Sequence, residues 1–185
     1  MRVLGILILV LLQAGCNSSS PHQVDESCEP NNKIYFDTNN HYSLKFPLSW
    51  KINRIDDFVD LCASSPSQFS DPDLFNGDEI FTLRSFKVSD TMDTDKEFEQ
   101  KKLGLTGYKS FHGVVIKDDY CDTEHGPARY MRIRFDNGCG SIAVKTYAIL
   151  VTKGRGFEFK ATTNSVDHNC FHSQFLTALS SFRVY

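Results

Sequence analysis

The sequence predicts an α+β domain built on a mostly antiparallel sheet. Short apolar segments that alternate with a period of two recur along most of the 185 residues, separated by Gly, Asn and Pro turns. Two stretches carry helix signals instead, a capping pattern near residue 94 and a 3.6-residue apolar stripe after residue 170. Helices set apart along an otherwise antiparallel chain define the α+β class.

The N-terminal residues resemble a bacterial lipoprotein signal. Arg2 precedes an apolar run over residues 3–12, which as a helix spans about 15 Å, half of a bilayer core of about 30 Å. This length is typical of a signal peptide rather than a transmembrane helix. Two small residues precede Cys16 and a polar run follows it, as in the lipobox, although Gln13 departs from that pattern. The alternative is an ordinary secretory cleavage that leaves Cys16 to form a disulfide.

We therefore expect an exported chain that a lipid anchors to a membrane, facing the periplasm or the cell surface. Residues 1–15 are the predicted signal peptide, residues 16–40 a lipid-anchored polar tether, and residues 41–185 the folded domain. Few side chains of the tether could be buried. Asn17 does not resemble the Asp that retains some lipoproteins at the inner membrane, so an outer membrane, where one exists, is the expected location.

The first half of the domain predicts three strands and a long loop. Residues 42–46 alternate, with Tyr42, Leu44 and Phe46 on one face. A turn at Pro47 leads to a second strand that begins with Trp50. Residues 56–78 are rich in Pro, Ser, Asp and Asn and predict the loop. Residues 79–88 predict the third strand.

Two helices and a strand meander complete the predicted elements. Thr94 and Glu97 form a capping box, so a short helix is expected to end at Gly104. The strands of the meander are expected at about 110–120, 129–135, 142–152 and 157–161. A closing helix begins near Asp167 and buries the stripe Phe171, Phe175, Ala178, Leu179 and Phe182.

The opening and closing segments of the domain are similar to those of the PsbP-like family. The opening reads Tyr-x-x-x-Phe-Pro-x-x-Trp over residues 42–50, and the closing helix and strand read FLTALSSFRV. That family shares the fold of the photosystem II protein PsbP and the Ran-binding Mog protein, and includes bacterial lipoproteins. The resemblance covers residues 40–185 and implies a sheet with helices on both faces, Trp50 against the closing helix, and a binding or assembly role. It carries over no active-site residue.

Composition and motifs argue against several classes of function. Lys and Arg number 20 against 23 Asp and Glu, a net charge of −3, which gives no electrostatic case for a nucleic-acid partner. The sequence contains no nucleophile-elbow motif of the hydrolases and no His-Glu-x-x-His motif of the zinc proteases. It also contains no P-loop and no glycine-rich dinucleotide-binding motif. We therefore expect no enzymatic activity, no catalytic residue and no cofactor.

Two weaker sites are suggested by residue spacing. Tyr130, Arg132 and Arg134 share one face of a predicted strand and, with Lys145 and Tyr147 one strand over, could form a basic aromatic patch for an anionic ligand. His168 and His172 stand four residues apart on the closing helix and, with Asp167, could reach one metal ion. The simpler interpretations are a solvated sheet face and a capped helix start.

Lipidation of Cys16 leaves five cysteines. The meander places Cys121 and Cys139 at opposite ends of a strand, roughly 25 Å apart, too far for a disulfide. Cys139 and Cys170 fall at the same end, so we expect a Cys139–Cys170 bridge worth roughly 3 to 4 kcal/mol. A Cys62–Cys121 bridge is a second expectation, which leaves Cys28 free or paired between chains.

The function that the sequence favours is a membrane-anchored binding or scaffolding module whose partner is an envelope protein. The alternative is a soluble, secreted, disulfide-bonded domain that binds a small ligand or a metal ion.

Overall fold

The computed structural model describes residues 31–53, 60–64, 79–106, 113–136, 142–163 and 169–185. In chain order the elements are β1 (Asn32–Asp37), β2 (Tyr42–Pro47), β3 (Lys51–Asn53), β4 (Leu61–Ser64), β5 (Glu79–Lys87), α1 (Thr94–Thr106), β6 (Gly113–Thr123), β7 (Gly126–Asp136), β8 (Ile142–Thr152), β9 (Arg155–Thr163), α2 (Asn169–Ser180) and β10 (Arg183–Val184). Two helices among many strands confirm the predicted α+β class.

The described strands form two antiparallel sheets. The large sheet has seven strands in the order β3-β4-β5-β9-β8-β7-β6, so β6 forms one of its edges. The small sheet has the order β1-β2-β10 and joins the first described strand to the last. The consecutive strands β6 to β9 pair as neighbours, as expected for hairpin connections.

Two hydrophobic clusters lie on opposite faces of the large sheet. Phe98 of α1 packs against Met131, Ile133 and Ile149. The larger cluster contains Tyr130, and its other members come from α2, the inner face of the small sheet and the neighbouring strands. Because consecutive residues of a strand point to opposite faces, Tyr130 and Met131 separate the two clusters.

The folded region begins earlier than predicted. Residues 32–37 were expected in the tether but form β1, which pairs with β2 from Asn32 opposite Pro47 to Asp37 opposite Tyr42. The turn between the strands is held by the buried Asp37, whose carboxylate accepts hydrogen bonds from the backbone of Asn39 and Asn40 at 2.9 and 2.8 Å. The short Ile-Tyr-Phe run of β1 stands between polar residues, which conceals its strand character.

A short strand also lies within the predicted loop of residues 56–78. β4 pairs with β3 on one side and β5 on the other, and its Leu61 and Ala63 are fully buried. This segment is too short for periodicity to distinguish it from a loop. Its strand conformation depends on pairing with β5, whose start lies 15 residues after the end of β4.

Helix α1 begins and ends differently from the prediction. The N-cap is Asp93, whose carboxylate accepts a hydrogen bond from the backbone N–H of Lys96 at 2.9 Å. The Thr94 hydroxyl instead accepts a hydrogen bond from the backbone N–H of Val151 at 3.0 Å, which ties the helix to β8. The helix continues through Gly104 to Thr106, because a glycine within a helix weakens it without ending it.

The predicted turn at residues 153–156 is a two-residue hairpin loop. Lys153 and Gly154 both have positive φ, 51° and 70°, as a type I′ turn requires. Gly156 already belongs to β9 and packs directly under the ring of Phe86, 2.4 Å from the place where a Cβ atom would stand. A side chain at Gly156 would therefore displace Phe86.

Helix α2 closes the core as predicted. All five residues of its predicted stripe, Phe171, Phe175, Ala178, Leu179 and Phe182, are buried. Trp50 is also buried, and its ring stacks on Phe46 at 6.0 Å and on Phe171 of α2 at 5.6 Å between centroids. The expected contact between Trp50 and the closing helix is confirmed.

We predict that Trp50→Ala lowers the free energy of unfolding by about 3 to 5 kcal/mol, because the ring fills a closed aromatic layer and its loss leaves a cavity. Chemical denaturation followed by far-UV circular dichroism measures the change. Leu103→Ala is the matched control, since Leu103 is 68% exposed on α1 and should change stability little. An unfolding midpoint equal to that of the parent chain for Trp50→Ala would contradict the prediction.

Candidate functional site

The predicted basic aromatic patch does not form one site. Tyr130, Arg132 and Arg134 share the face of the large sheet that carries α2. Lys145 pairs opposite Ile133 and Tyr147 opposite Met131, so both lie on the face that carries α1. The prediction failed because the register between β7 and β8 depends on the length of their connection, which residue patterns alone did not fix.

Two of the five patch residues, Tyr130 and Arg132, belong to a different cluster on the α2 face. Lys117 of β6 lies 5.8 Å from the ring centroid of Tyr130, and the ring of His172 of α2 lies 5.9 Å from it. Arg132 stands opposite Lys117 on the neighbouring strand. The Nε atom of Arg132 and the Nδ1 atom of His172 are buried and have no hydrogen-bond partner among the described residues.

Charges in this cluster are predominantly positive. Burial lowers the pKa of Arg132. Burial, together with the charges of Arg132 and Lys117, lowers the pKa of His172 to about 4, so its imidazole is neutral at pH 7. Lys117 pairs with Asp119 at 3.1 Å. An anion suits these surroundings better than a metal cation does.

The predicted metal site is not assembled within the described residues. Asp167 and His168 lie outside the described residues, and the part of the chain that the structure describes contains no group of three His, Cys, Asp or Glu side chains that could hold a metal ion. His172 faces Tyr130. A site using Asp167, His168 and His172 stays a prediction.

The opposite face is closed by ion pairs between α1 and the sheet. Arg129 of β7 binds Asp118 of β6 through Nε at 3.1 Å and Nη2 at 3.2 Å, and it pairs with Glu99 of α1 at 2.8 Å. Its guanidinium also lies 4.4 Å from the ring centroid of Phe98. Partial burial raises the pKa of Asp118, but hydrogen bonds from Lys102 and Arg129 hold it below the ordinary value. These contacts fasten α1 to the sheet.

Lys145 and Tyr147 lie under this α1 layer rather than on a ligand surface. Tyr147 packs against the cluster of Phe98, and burial raises its pKa. The Lys145 ammonium lies 5.2 Å from the ring centroid of Phe135. On the next strand, the buried Glu158 pairs with Lys101 of α1.

The edge strand β6 of the large sheet is exposed along most of its length. Three consecutive apolar residues stand at its start, and Val114 and Ile116 are 55% and 40% exposed. The register shifts between Val115 and Lys117, so Ile116 is the extra residue of a β-bulge. Among the described strands none pairs with the outer edge of β6. The sequence contains a signal for this exposed apolar edge, because a run of three consecutive apolar residues is unusual on a strand with one face in solvent.

The cysteines correct one predicted pairing. Cys62 and Cys121 are free thiols, so the Cys62–Cys121 prediction is wrong. Cys62 is on β4 and Cys121 on β6, five strand positions apart, or about 24 Å at about 4.8 Å per strand. Burial raises the pKa of both thiols.

Of the other two cysteine predictions, one agrees with the structure and one involves a residue outside the described part of the chain. Cys121 lies at the β6–β7 turn opposite Ala128 and is free, which agrees with the exclusion of a Cys121–Cys139 bond. Cys170 is disulfide-bonded. Its predicted partner Cys139 lies outside the described residues, as do Cys16 and Cys28, so the Cys139–Cys170 pairing stays a prediction.

Comparison with known proteins places the fold. No protein-family profile and no curated protein sequence matches the chain. Solved structures match over 83% of it. Cyanobacterial PsbP (CyanoP) from Synechocystis sp. PCC 6803 has a TM-score of 0.57 and 16% identity, with 92% of that protein covered. The Ran-binding protein Mog1p of Saccharomyces cerevisiae has a TM-score of 0.57, 10% identity and 95% covered.

A third similar structure is LpqN of Mycobacterium tuberculosis, described as involved in cell envelope biogenesis. Its TM-score is 0.58, with 10% identity and 90% of that protein covered. The chain therefore has the PsbP-like fold. None of its helices, in the portion that the structure describes, has the length and apolar character needed to cross a membrane.

We predict that His172 makes stability fall below neutral pH. Its folded-state pKa of about 4 lies below the ordinary 6.5, so the unfolded chain binds more protons between these values. The contribution of the neutral His172 to the free energy of unfolding is complete above pH 6.5 and is lost as the pH falls toward 4. His172→Gln should reduce the stability lost between pH 7 and 5 by roughly 1 kcal/mol, allowing for partial exposure. Urea denaturation across this range tests this, and parallel pH profiles for both chains would contradict it.

Proposed function

We propose that this chain is a lipid-anchored envelope protein whose PsbP-like domain binds another envelope protein and catalyses no reaction. One observation carries the binding role. β6 leaves the outer edge of the large sheet unpaired among the described strands, and its exposed side chains include the apolar run Val114, Val115 and Ile116. Native edge strands are usually protected, so an exposed apolar edge of this kind favours a partner.

The expected partner contributes an extended segment. An edge strand offers alternating backbone N–H and C=O groups that a second strand can pair with, while alternate side chains provide specificity. On β6 the pairing surface is the apolar start of the strand, because Asp118 and Tyr120 further along are engaged with α1 and β7. The bulge at Ile116 limits the segment to a few residues.

Two further observations support the envelope location. The lipobox-like sequence before Cys16 supplies an anchor, and stable anchoring requires more than one acyl chain, as a diacylglycerol provides. LpqN, which has a similar fold, is a protein of cell envelope biogenesis. A fold alone does not define function, so the proposal depends on the anchor and the edge strand together.

We predict that Cys16→Ser moves the protein from the membrane fraction to the soluble envelope fraction. Without the thiol no diacylglycerol can be attached, and the chain loses its anchor. Fractionation and mass spectrometry of the N-terminal peptide measure the change, with Cys28→Ser as the matched control that should stay membrane-bound. If the N-terminal peptide of the parent chain carries no lipid on Cys16, the proposal is contradicted.

We predict that a photo-crosslinking residue at Val115 yields one discrete adduct with an envelope protein. The same residue at Leu103, which is 68% exposed compared with 36% for Val115 but lies on α1, should yield none. Adding Val114→Lys and Ile116→Lys to the chain that carries the crosslinker at Val115 should abolish the adduct, because charges on an edge strand prevent strand addition. The adduct is identified by mass spectrometry and by reciprocal crosslinking. Equal adducts from both positions would contradict a β6 partner.

A further inference from the structure

The outer face of the small sheet is apolar where a solvated sheet face is usually polar. Ile34 and Phe36 of β1 point outward and are 53% and 60% exposed. Tyr185 follows β10, is 62% exposed, and stacks on Phe36 with ring centroids 6.4 Å apart at 17°. The alternate residue Tyr35 packs inward against the main core. The three outward side chains therefore form one continuous apolar surface.

This surface borders a groove with a basic rim. The groove has a volume of about 420 Å³, and its lining includes Ile34, Phe36, Lys45, Thr177, Ser181 and Arg183. Lys45 lies opposite Ile34 on β2 and forms no ion pair with any described residue. Arg183 lies opposite Ser43 and pairs with the exposed Glu124 outside the groove. The described residues that line the groove include Lys45 and Arg183 and no carboxylate, so their charge is positive.

The short distance in sequence between Cys16 and β1 indicates what binds this surface. β1 begins at Asn32, 16 residues after Cys16, so the connecting segment reaches at most about 55 Å from the anchor when fully extended. The small sheet is therefore the part of the fold that the anchor holds close to the membrane, and tethering raises the local concentration enough for a weak contact to persist.

The connecting segment itself is a poor occupant. Its residues 17–30 contain a single aliphatic side chain, Val24, and are otherwise mostly polar or acidic. Aromatic and aliphatic side chains flanked by Lys and Arg match the interface of an anionic bilayer, where aromatic rings sit among headgroups and basic side chains meet acidic lipids. Ile34, Phe36 and Tyr185 supply the first component, and Lys45 and Arg183 the second.

We propose that the outer face of the small sheet docks on the surface of the anionic membrane to which the chain is anchored. The proposal rests on the proposed lipid anchor for its geometry, while the docking contact itself is made by protein side chains. Binding would fix the orientation of the domain on the bilayer, in addition to its distance from it. Ile34, Phe36 and Tyr185 would enter the interface, and Lys45 would lie at headgroup level.

The test separates docking from lipidation by using the mature chain with Cys16→Ser. Sedimentation with an excess of vesicles of phosphatidylcholine and phosphatidylglycerol in equal parts should bring down part of the unanchored protein, whose contact is too weak to keep it in the membrane fraction of cells. Vesicles of phosphatidylcholine alone should bring down much less. The double variant Ile34→Ser with Phe36→Ser should bind at least about five-fold more weakly, since it loses two apolar contacts. The matched control, Val114→Ser with Ile116→Ser on β6, should bind like the parent chain.

Each outcome decides the proposal. Lys45→Glu, whose side chain is exposed, gives a second variant that should weaken binding to the anionic vesicles if the double variant fails to fold. Equal loss in the β6 control, no binding to anionic vesicles, or equal binding to neutral vesicles overturns docking on an anionic membrane. A dimer in sedimentation velocity that is lost in Ile34→Ser with Phe36→Ser would assign the surface to a second copy of the chain instead. Because the vesicle test uses the Cys16→Ser chain, it does not depend on lipidation. Absence of the lipid is detected instead by the mass of the N-terminal peptide of the parent chain.

Discussion

The fold depends on Phe182, which joins the two sheets. Its ring lies 5.6 Å from Tyr42 of the small sheet and 4.8 and 5.1 Å from Phe157 and Phe159 of the large sheet, measured between centroids. The last two contacts are edge-to-face, the geometry that aromatic quadrupoles favour. Because the inner face of the small sheet is buried in the same cluster as α2 and the large sheet, this contact helps to fix where the small sheet lies.

The functional surfaces follow from that arrangement. The aromatic layer uses the inward residues of β2 and the face of the large sheet beneath α2, so the outward residues of β1 are left to solvent. Arg129 and its carboxylate partners secure α1 on the other face. Among the described residues, the edge of β6 and the outer face of the small sheet remain accessible. Both expose aliphatic side chains, and they are available to different partners.

Local patterns predicted the elements whose burial is regular. The period-two run of β2 and the helical stripe of α2 each place large apolar residues on one face, and β8 has the predicted bounds of 142–152. β1 and β4 were missed because their strand pairing comes from other parts of the chain. The N-cap of α1 was displaced by one residue, since Asp93 and Thr94 are both good caps.

The candidate site was harder to predict than the fold. Alternation correctly separated Tyr130 from Met131, but the pairing of Lys145 with Ile133 required the register between two strands. The cluster of Lys117, Arg132 and His172 draws on three elements and leaves no local signature. Cys62 and Cys121 were paired by an argument about strand ends, whereas the order of strands across the sheet determined that they lie far apart.

The pairing of β10 with β2 has a consequence for the order in which the domain folds. Val184 lies opposite Tyr42 and Arg183 opposite Ser43, about 140 residues apart in the chain. Contacts between such distant segments form slowly, because the entropy of closing the loop must be overcome first. During synthesis, β2 lacks this partner and the Phe182 contact until almost the whole domain has emerged. The small sheet is thus completed only late in synthesis.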